Sequence, residues 1–242
     1  MIAALRELPA GEHLFALSHL LCVDRRGPPE GRQSGYSTLE KEALLRAITR
    51  CADNCDERVI VSEVNWPLHG TSIWSPIGCT YEIPEWRENQ PGESEDDYAN
   101  YKLRYLAITL CSGHVDRVFW WRLSAHGYDL VDDRDDFRPR PAFHALAFFL
   151  TLLGATTFVG KWQTPPGAHA LVFDAAAGRV LMAWTESGQS APLPSGRFMQ
   201  FFDRGGSVLT QPVLHGAPLY ALVDDAPQSS ADGTCDTTRD VL

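Results

Sequence analysis

Apolar residues along this chain fall into short runs whose period changes near residue 160. In the first part, apolar runs too short for helices alternate with stretches of helical period. Met1–Leu8 is helical in pattern, and Pro9-Ala10-Gly11 ends it. Leu14–Val23 reads as a strand containing His19, followed by the charged, turn-rich loop Asp24–Gly31. Ser37 or Thr38 caps a helix over Leu39–Ala52, whose Leu44, Leu45 and Ile48 make an apolar face. Val59-Ile60-Val61-Ser62 is the next strand; Glu63 stands at its end, and Asn65-Trp66-Pro67 stops it. A long connection, Pro67 to roughly Asp97, carries Trp66, Trp74, Tyr81 and Trp86 in or beside it, and its aromatic content predicts an ordered loop. Tyr98–Cys111 is a helix with Leu103, Leu106, Ala107 and Leu110 on one side and Gly113 beyond its end. Val118–Leu123 is a third strand, and Pro141 opens a helix over Ala142–Leu153.

Beyond Gly160 the runs become short strands separated by turns: Ala170–Phe173, Val180–Trp184, Phe198–Phe202, Val208-Leu209 and Leu219–Val223. The organisation expected is therefore an α/β part over 1–160, a small all-β module over 161–224 and a disordered polar tail over 225–242. No internal repeat is present.

Composition narrows the classes without choosing one. A chain of 242 residues with 44% hydrophobic and 21% charged residues is an ordinary globular protein. The net charge of −10 and the lack of a basic patch argue against nucleic acid. The longest apolar stretch, Ala142–Val159, is interrupted by His144 and Gly154, so no membrane span is expected. Arg6, Glu7 and Glu12 make the N-terminus a poor signal peptide, and a cytoplasmic location follows as the expectation. Six cysteines are scattered through the chain. Cys51 and Cys55 are four apart on a helix, but with no second ligand pair they read as reduced thiols, and no metal or cofactor is expected.

The candidate chemistry gathers on one stretch. Strands of a parallel sheet carry their active residues at their carboxyl ends, so Glu63 is a carboxylate where chemistry is usually done; pairing with an arginine in a loop is the plain alternative. Trp66, Trp120 and Trp121 could stack on the apolar faces of sugar rings. Trp120 and Trp121 are adjacent, so they point to opposite sides of a strand and at most one can serve. His19 could hydrogen-bond a hydroxyl or be a satisfied core histidine, and Asn65 could orient a ligand or turn the chain. The acidic cluster Asp132–Asp136 reads as a solvated loop, with calcium as the alternative. His114 and His126 have no partner at metal-ligand spacing.

The runs "ALSHLLCVDRRGPPEGRQ", "RVIVSEVNWPLHGTSIWSP", "YLAITLCSGHVDRVFWWRL" and "RPRPAFHAL" resemble, in that order, the last three βα units of a (β/α)8-barrel retaining glycoside hydrolase. The family has two catalytic glutamates, on the fourth and seventh strands. The resemblance makes "VSEVNWP" the seventh-strand motif with Glu63 as nucleophile, "FWW" the eighth strand flooring the sugar site, and "LSHLL" the sixth with His19 near the pocket. The trailing module, with "APLYAL" near its end, is similar to the small β-sandwich that follows such barrels. It implies a partial TIM barrel, a carbohydrate partner, and a first part of the barrel missing from this chain or replaced through self-association.

The first five strands and the Asn-Glu pair of the fourth have no counterpart, and Cys22 stands where an aromatic is expected. Glu82 and Glu85 in the long loop are weak substitutes for the missing acid. Three readings follow: a glycosidase part carrying Glu63, a non-catalytic carbohydrate-binding or assembly protein from a decayed barrel, and a small α/β enzyme of another class using Glu63 with His19.

Overall fold

The computed structural model describes residues 16–20, 27–51, 58–69, 92–124, 127–186 and 188–225. The expected first helix, Cys22, Cys55, Arg25, Arg26, His126, Glu82, Glu85 and the tail beyond 225 lie outside these residues.

Three strands form a parallel sheet in the order β1 (Ala16–Leu20), β2 (Arg58–Val64), β3 (Arg117–Trp120). Helix α1 (Thr38–Cys51) connects the first two and α2 (Glu95–Leu110) the second pair. Ser37 and Glu40 form a reciprocal capping box: the Glu40 amide donates to Ser37 Oγ at 3.2 Å, and the Ser37 amide donates to the Glu40 carboxylate at 2.6 Å. Helix α2 begins three residues before the expected Tyr98, because Ser94 caps it and Glu95, Asp96 and Asp97 meet the positive end of its dipole. A short hairpin, β4 (Val131–Asp132) with β5 (Arg138–Pro139), was not legible in the sequence and leads into α3 (Pro141–Leu153).

The remaining strands are β6 (Thr157–Lys161), β7 (Ala168–Ala175), β8 (Gly178–Thr185), β9 (Arg197–Phe202), β10 (Val208–Leu209) and β11 (Leu219–Asp225). They make one antiparallel sheet in the order β10-β9-β11-β8-β7-β6. Strand β6 was not expected, and it spans the boundary anticipated after residue 160.

One core joins both sheets. Val59, Val61 and Val64 of β2 pack in the same cluster as Leu103, Leu106 and Ala107 of α2, Phe149 and Leu153 of α3, and Leu171, Phe173, Met182, Trp184 and Tyr220 of the large sheet. The helices are thus a middle layer between two sheets. Helix α2 is buried nearly all round, Asn100, Lys102 and Arg104 included. The far face of the large sheet has its own cluster, built on Ala170, Val172, Leu181, Ala183 and Val223 and covered by Leu214. Among the described residues no helix is long and apolar enough to cross a membrane.

The middle layer also encloses Glu42, which has no exposed surface. Thr109 donates to one of its oxygens at 2.9 Å, and the other has no partner. Burial pushes its carboxyl up to about 7. The folded state therefore holds a proton that the unfolded chain releases near 4.5, so stability is full in acid and falls as pH rises through about 4.5 to 7. The loss is about 3 kcal/mol at neutral pH. Glu42→Gln should flatten this part of the pH–stability curve, read by urea melts between pH 4 and 8. An unchanged slope would show that Glu42 is not the group responsible.

Candidate functional site

The three parallel strands have two unequal faces. Val59, Val61 and Val64 of β2 and Val118 and Trp120 of β3 face the helices. Pairing of Val61 with Val118 and of Val64 with Trp120 keeps these side chains on one side. The opposite face carries Ser18, Leu20, Ile60, Ser62 and Phe119, and it is open: Leu20 is 61% and Phe119 51% exposed.

Glu63 belongs to this open face. It lies inside β2, which runs two residues beyond the expected end at Ser62. The register slips between Val61 and Val64, so both valines stay on the core side and Ser62 and Glu63 occupy the step between them. Glu63 pairs with exposed Leu20. Its side chain is half-buried at the carboxyl end of the strand, away from the helices. Among the described residues no cation or hydrogen-bond donor pairs with it. Arg122, one conceivable partner, has its guanidinium 5.1 Å from the centre of the Trp121 ring.

His19 is placed differently. It pairs with Val61, and the register therefore turns it to the helix side of β1. Its Nδ1 is 3.3 Å from the Leu20 carbonyl, and burial lowers its pKa, favouring the neutral ring. His19 and Glu63 point to opposite faces, which removes the expected pairing of the two. Ser62 Oγ donates to the His19 carbonyl at 3.0 Å and ties the two strands where the register slips.

Asn65 is fully buried and donates to the Trp121 carbonyl at 2.7 Å. The Trp121 amide in turn donates to the Val64 carbonyl at 3.2 Å. Asn65 therefore locks the ends of β2 and β3 together. Trp121 is half-buried, with its ring 5.8 Å from Tyr128, and is joined to Arg122 by a cis peptide.

Trp66 and Trp120 differ from the sugar-stacking role expected of them. Trp66 is 0% exposed; its Nε1 donates to the Gly27 carbonyl at 2.8 Å. Trp120 stacks on it at 5.9 Å and 16°, and Tyr101 and Tyr105 also pack against Trp66 at 5.9 Å. Trp120 Nε1 donates to Tyr98 Oη at 3.0 Å, and the Lys102 amine lies 5.1 Å from the Trp120 ring. Burial holds the Lys102 pKa well below its ordinary value. This aromatic group fills the space between α2 and the parallel sheet. Trp66 has no ring face left for a ligand; of the adjacent pair, both half-buried, Trp120 packs against the core cluster and Trp121 does not.

Two further acidic features emerge. Glu93, which the sequence reading passed over, is held just beyond β2: its amide donates to the Pro67 carbonyl at 2.7 Å, and its carbonyl accepts from His69 at 2.8 Å. Burial and the nearby Asp97 charge raise its pKa. Its place directly before the Ser94 helix cap was the available signal. Of the cluster Asp132–Asp136, Asp133, Asp135 and Asp136 are exposed, as expected of a solvated loop, while Asp132 and the preceding Asp129 are drawn into ion pairs. Asp129, Asp132 and Asp133 offer oxygens within 4.8 Å of one another, but the buried Arg140 pairs with Asp129 at 2.9 Å and with Asp132 at 2.8 Å. Arg140 also pairs with Glu95, and Arg138 joins Glu95 and Asp135. The network fastens the hairpin to the start of α2.

No protein-family model matches the sequence, and no curated protein is significantly similar to it. Solved structures do match. The fold is similar to that of the glycoside hydrolase family 30 subfamily 8 xylanase Xyn30A from Clostridium acetobutylicum, at a TM-score of 0.54 and 8% identity, covering 92% of this chain and 52% of the xylanase. A GH30 endoxylanase from Clostridium papyrosolvens C71 matches at 7% identity over 90% of this chain and 51% of the enzyme; its TM-score of 0.49 is too low to bear on the argument. The chain thus spans about half the length of these enzymes, and the likeness is one of fold.

The placement of Trp66 separates a core role from a binding role. Trp66→Ala should cost about 3–5 kcal/mol and lower the melting temperature by roughly 10 °C. A variant of wild-type stability that had lost only carbohydrate affinity would return Trp66 to the binding surface.

Proposed function

We propose that this chain is the nucleophile-bearing part of a retaining (β/α)8-barrel glycoside hydrolase: its last three βα units, followed by a small sandwich-like β module. Glu63 is the nucleophile, Trp121 a wall of the sugar site, and Asn65 the residue that positions Trp121. The acid/base lies outside the described residues. The observation that carries the reading is the position of Glu63, at the carboxyl end of the central strand on the face turned from the helices. In a closed barrel that face is the interior.

The chemistry sets what must be added. A retaining enzyme holds two carboxyl groups roughly 5 Å apart. The ionised one attacks the anomeric carbon and forms a glycosyl ester as the bond to the leaving oxygen breaks. The protonated one delivers its proton to that oxygen, then takes a proton from the water that opens the ester. A leaving group that needs no proton isolates the first step. With 2,4-dinitrophenyl 2-deoxy-2-fluoro glycosides of xylose and glucose, this chain should release dinitrophenolate once and carry the sugar on Glu63, seen by peptide mass. Glu63→Gln should abolish the label with little change in melting temperature. A label on another residue, or an undiminished one in the variant, would refute the nucleophile role.

The lone carboxylate and the half-exposed Trp121 also suit a non-catalytic carbohydrate-binding protein. Retention on xylan without any covalent label would favour that reading.

Parallel sheets are normally covered on both faces. The open face of β1–β3 leaves Leu20, Phe119 and, just past β3, Leu123 at 61, 51 and 59% exposure. In the proposed reading, further βα units or a second copy cover it. The isolated chain should therefore self-associate at micromolar concentration and bind an apolar dye, both reduced in Leu20→Glu/Phe119→Glu. A cooperative, dye-free monomer in the ultracentrifuge would contradict the proposal.

A further inference from the structure

A cavity of about 170 Å³ opens between the start of α1, the end of α2 and the large sheet, and it shares no lining residue with the Glu63 site. Its walls are Pro29, Leu39, Ala107, Ile108 and Leu171. Cys111 closes the inner end; burial pushes its thiol up to about 12, so it is a neutral, weakly polar wall. A cavity of about this size holds a benzene-sized guest, and Ser37, Thr38, Lys161, His169 and Glu186 add polar groups to its apolar walls.

The charges at the cavity are unequal in how they are answered. Glu30 is spent: Arg104 and Trp184 Nε1 donate to its carboxylate. Glu186 lies 3.5 Å from His169 Nε2, a contact that answers its charge only when the ring is protonated, and the His169 ring is fixed by stacking on Trp184 at 4.9 Å. Lys161 has no ion-pair partner among the described residues. Lys161 is exposed overall, yet its side chain lines the cavity. The strand register explains this: Lys161 pairs with Leu171, and His169 lies two residues along β7 on the same face.

We infer that this cavity is a binding site for a small carboxylic acid with an apolar body, such as an aryl- or short alkyl-alkanoate, its carboxylate meeting Lys161 and its body lying against Leu171 and Ile108. The inference is independent of the proposed glycosidase reading. The ligand bridges the helical layer and the large sheet, so its binding stabilises their contact.

The test uses the full chain and three probes of one shape: 3-phenylpropionate, 3-phenylpropan-1-ol and 3-phenylpropylamine, followed by calorimetry and thermal melting. The acid should bind with about a tenfold lower Kd than the amine, attraction of the one and repulsion of the other by Lys161 together being worth about that factor, and should raise the melting temperature. Lys161→Met changes an exposed side chain and should leave the fold intact while bringing the acid down to the level of the alcohol. Leu39→Trp, at the partly buried first turn of α1, should fill the cavity and remove binding of all three. No saturable binding, equal binding of acid and amine, full acid preference in Lys161→Met, or binding that survives Leu39→Trp would each overturn the inference.

Discussion

The ion pair between Glu30 and Arg104 holds the layers of this protein in place. Its side chains are only 8% and 1% exposed. Both guanidinium arms of Arg104 reach the Glu30 carboxylate, the Nε contact being 2.8 Å. The third nitrogen donates to the Gly216 carbonyl at 3.2 Å, and Trp184 Nε1 adds a donor to Glu30 at 2.8 Å. Four segments therefore meet at one pair of charges: the loop after β1, helix α2, strand β8 and the turn before β11. Removing two ions from water is costly, and removing one partner of such a pair typically costs about 3–5 kcal/mol. The arrangement is tolerable because every arm of the guanidinium finds an oxygen.

That clasp explains how α2 can be a central helix at all. Its sequence is not uniformly apolar, yet it lies between two sheets with Asn100, Lys102 and Arg104 inside. Each finds its own solution. Arg104 takes the clasp. Arg204 donates to the Asn100 side chain and pairs with Asp96, fixing the β9–β10 turn to the same helix. Lys102 is held near the Trp120 ring, where burial favours its neutral form. The middle layer thus mixes aromatic packing with a few buried polar groups, of which Arg104 is fully satisfied while the Lys102 amine and one Glu42 oxygen have no hydrogen-bond partner among the described residues.

The same layering sets the surroundings of Glu63. Because the helices and the aromatic group of Trp66, Trp120, Tyr101 and Tyr105 occupy one side of the parallel sheet, the other side is left to Ile60, Ser62, Glu63 and Phe119. A carboxylate on the core side would have needed a clasp like that of Glu30. On the open side Glu63 stays half-buried, with no partner among the described residues.

The sequence by itself determined most of the elements, though not the β4–β5 hairpin or β6, and where along β2 the carboxylate stands. The β-branched run Val59–Val61, broken at Asn65-Trp66-Pro67, makes a strand with Glu63 near its end whatever surrounds it. The Ser37–Glu40 box and Pro141 start their helices through local hydrogen bonding and fixed backbone angles. Tertiary structure decided which face each side chain joins. Alternation gives a strand two faces but does not say which is covered, and the slip between Val61 and Val64 sets the side of Glu63 through pairing with β1 and β3. Trp66, Trp120 and Trp121 look equivalent in sequence; only the arrival of α2 buries the first, packs against the second and leaves the third outside that cluster. Arg104 and Glu30 are 74 residues apart, and no local pattern couples charges that distant, so their burial could be decided only by the packing that brings them together.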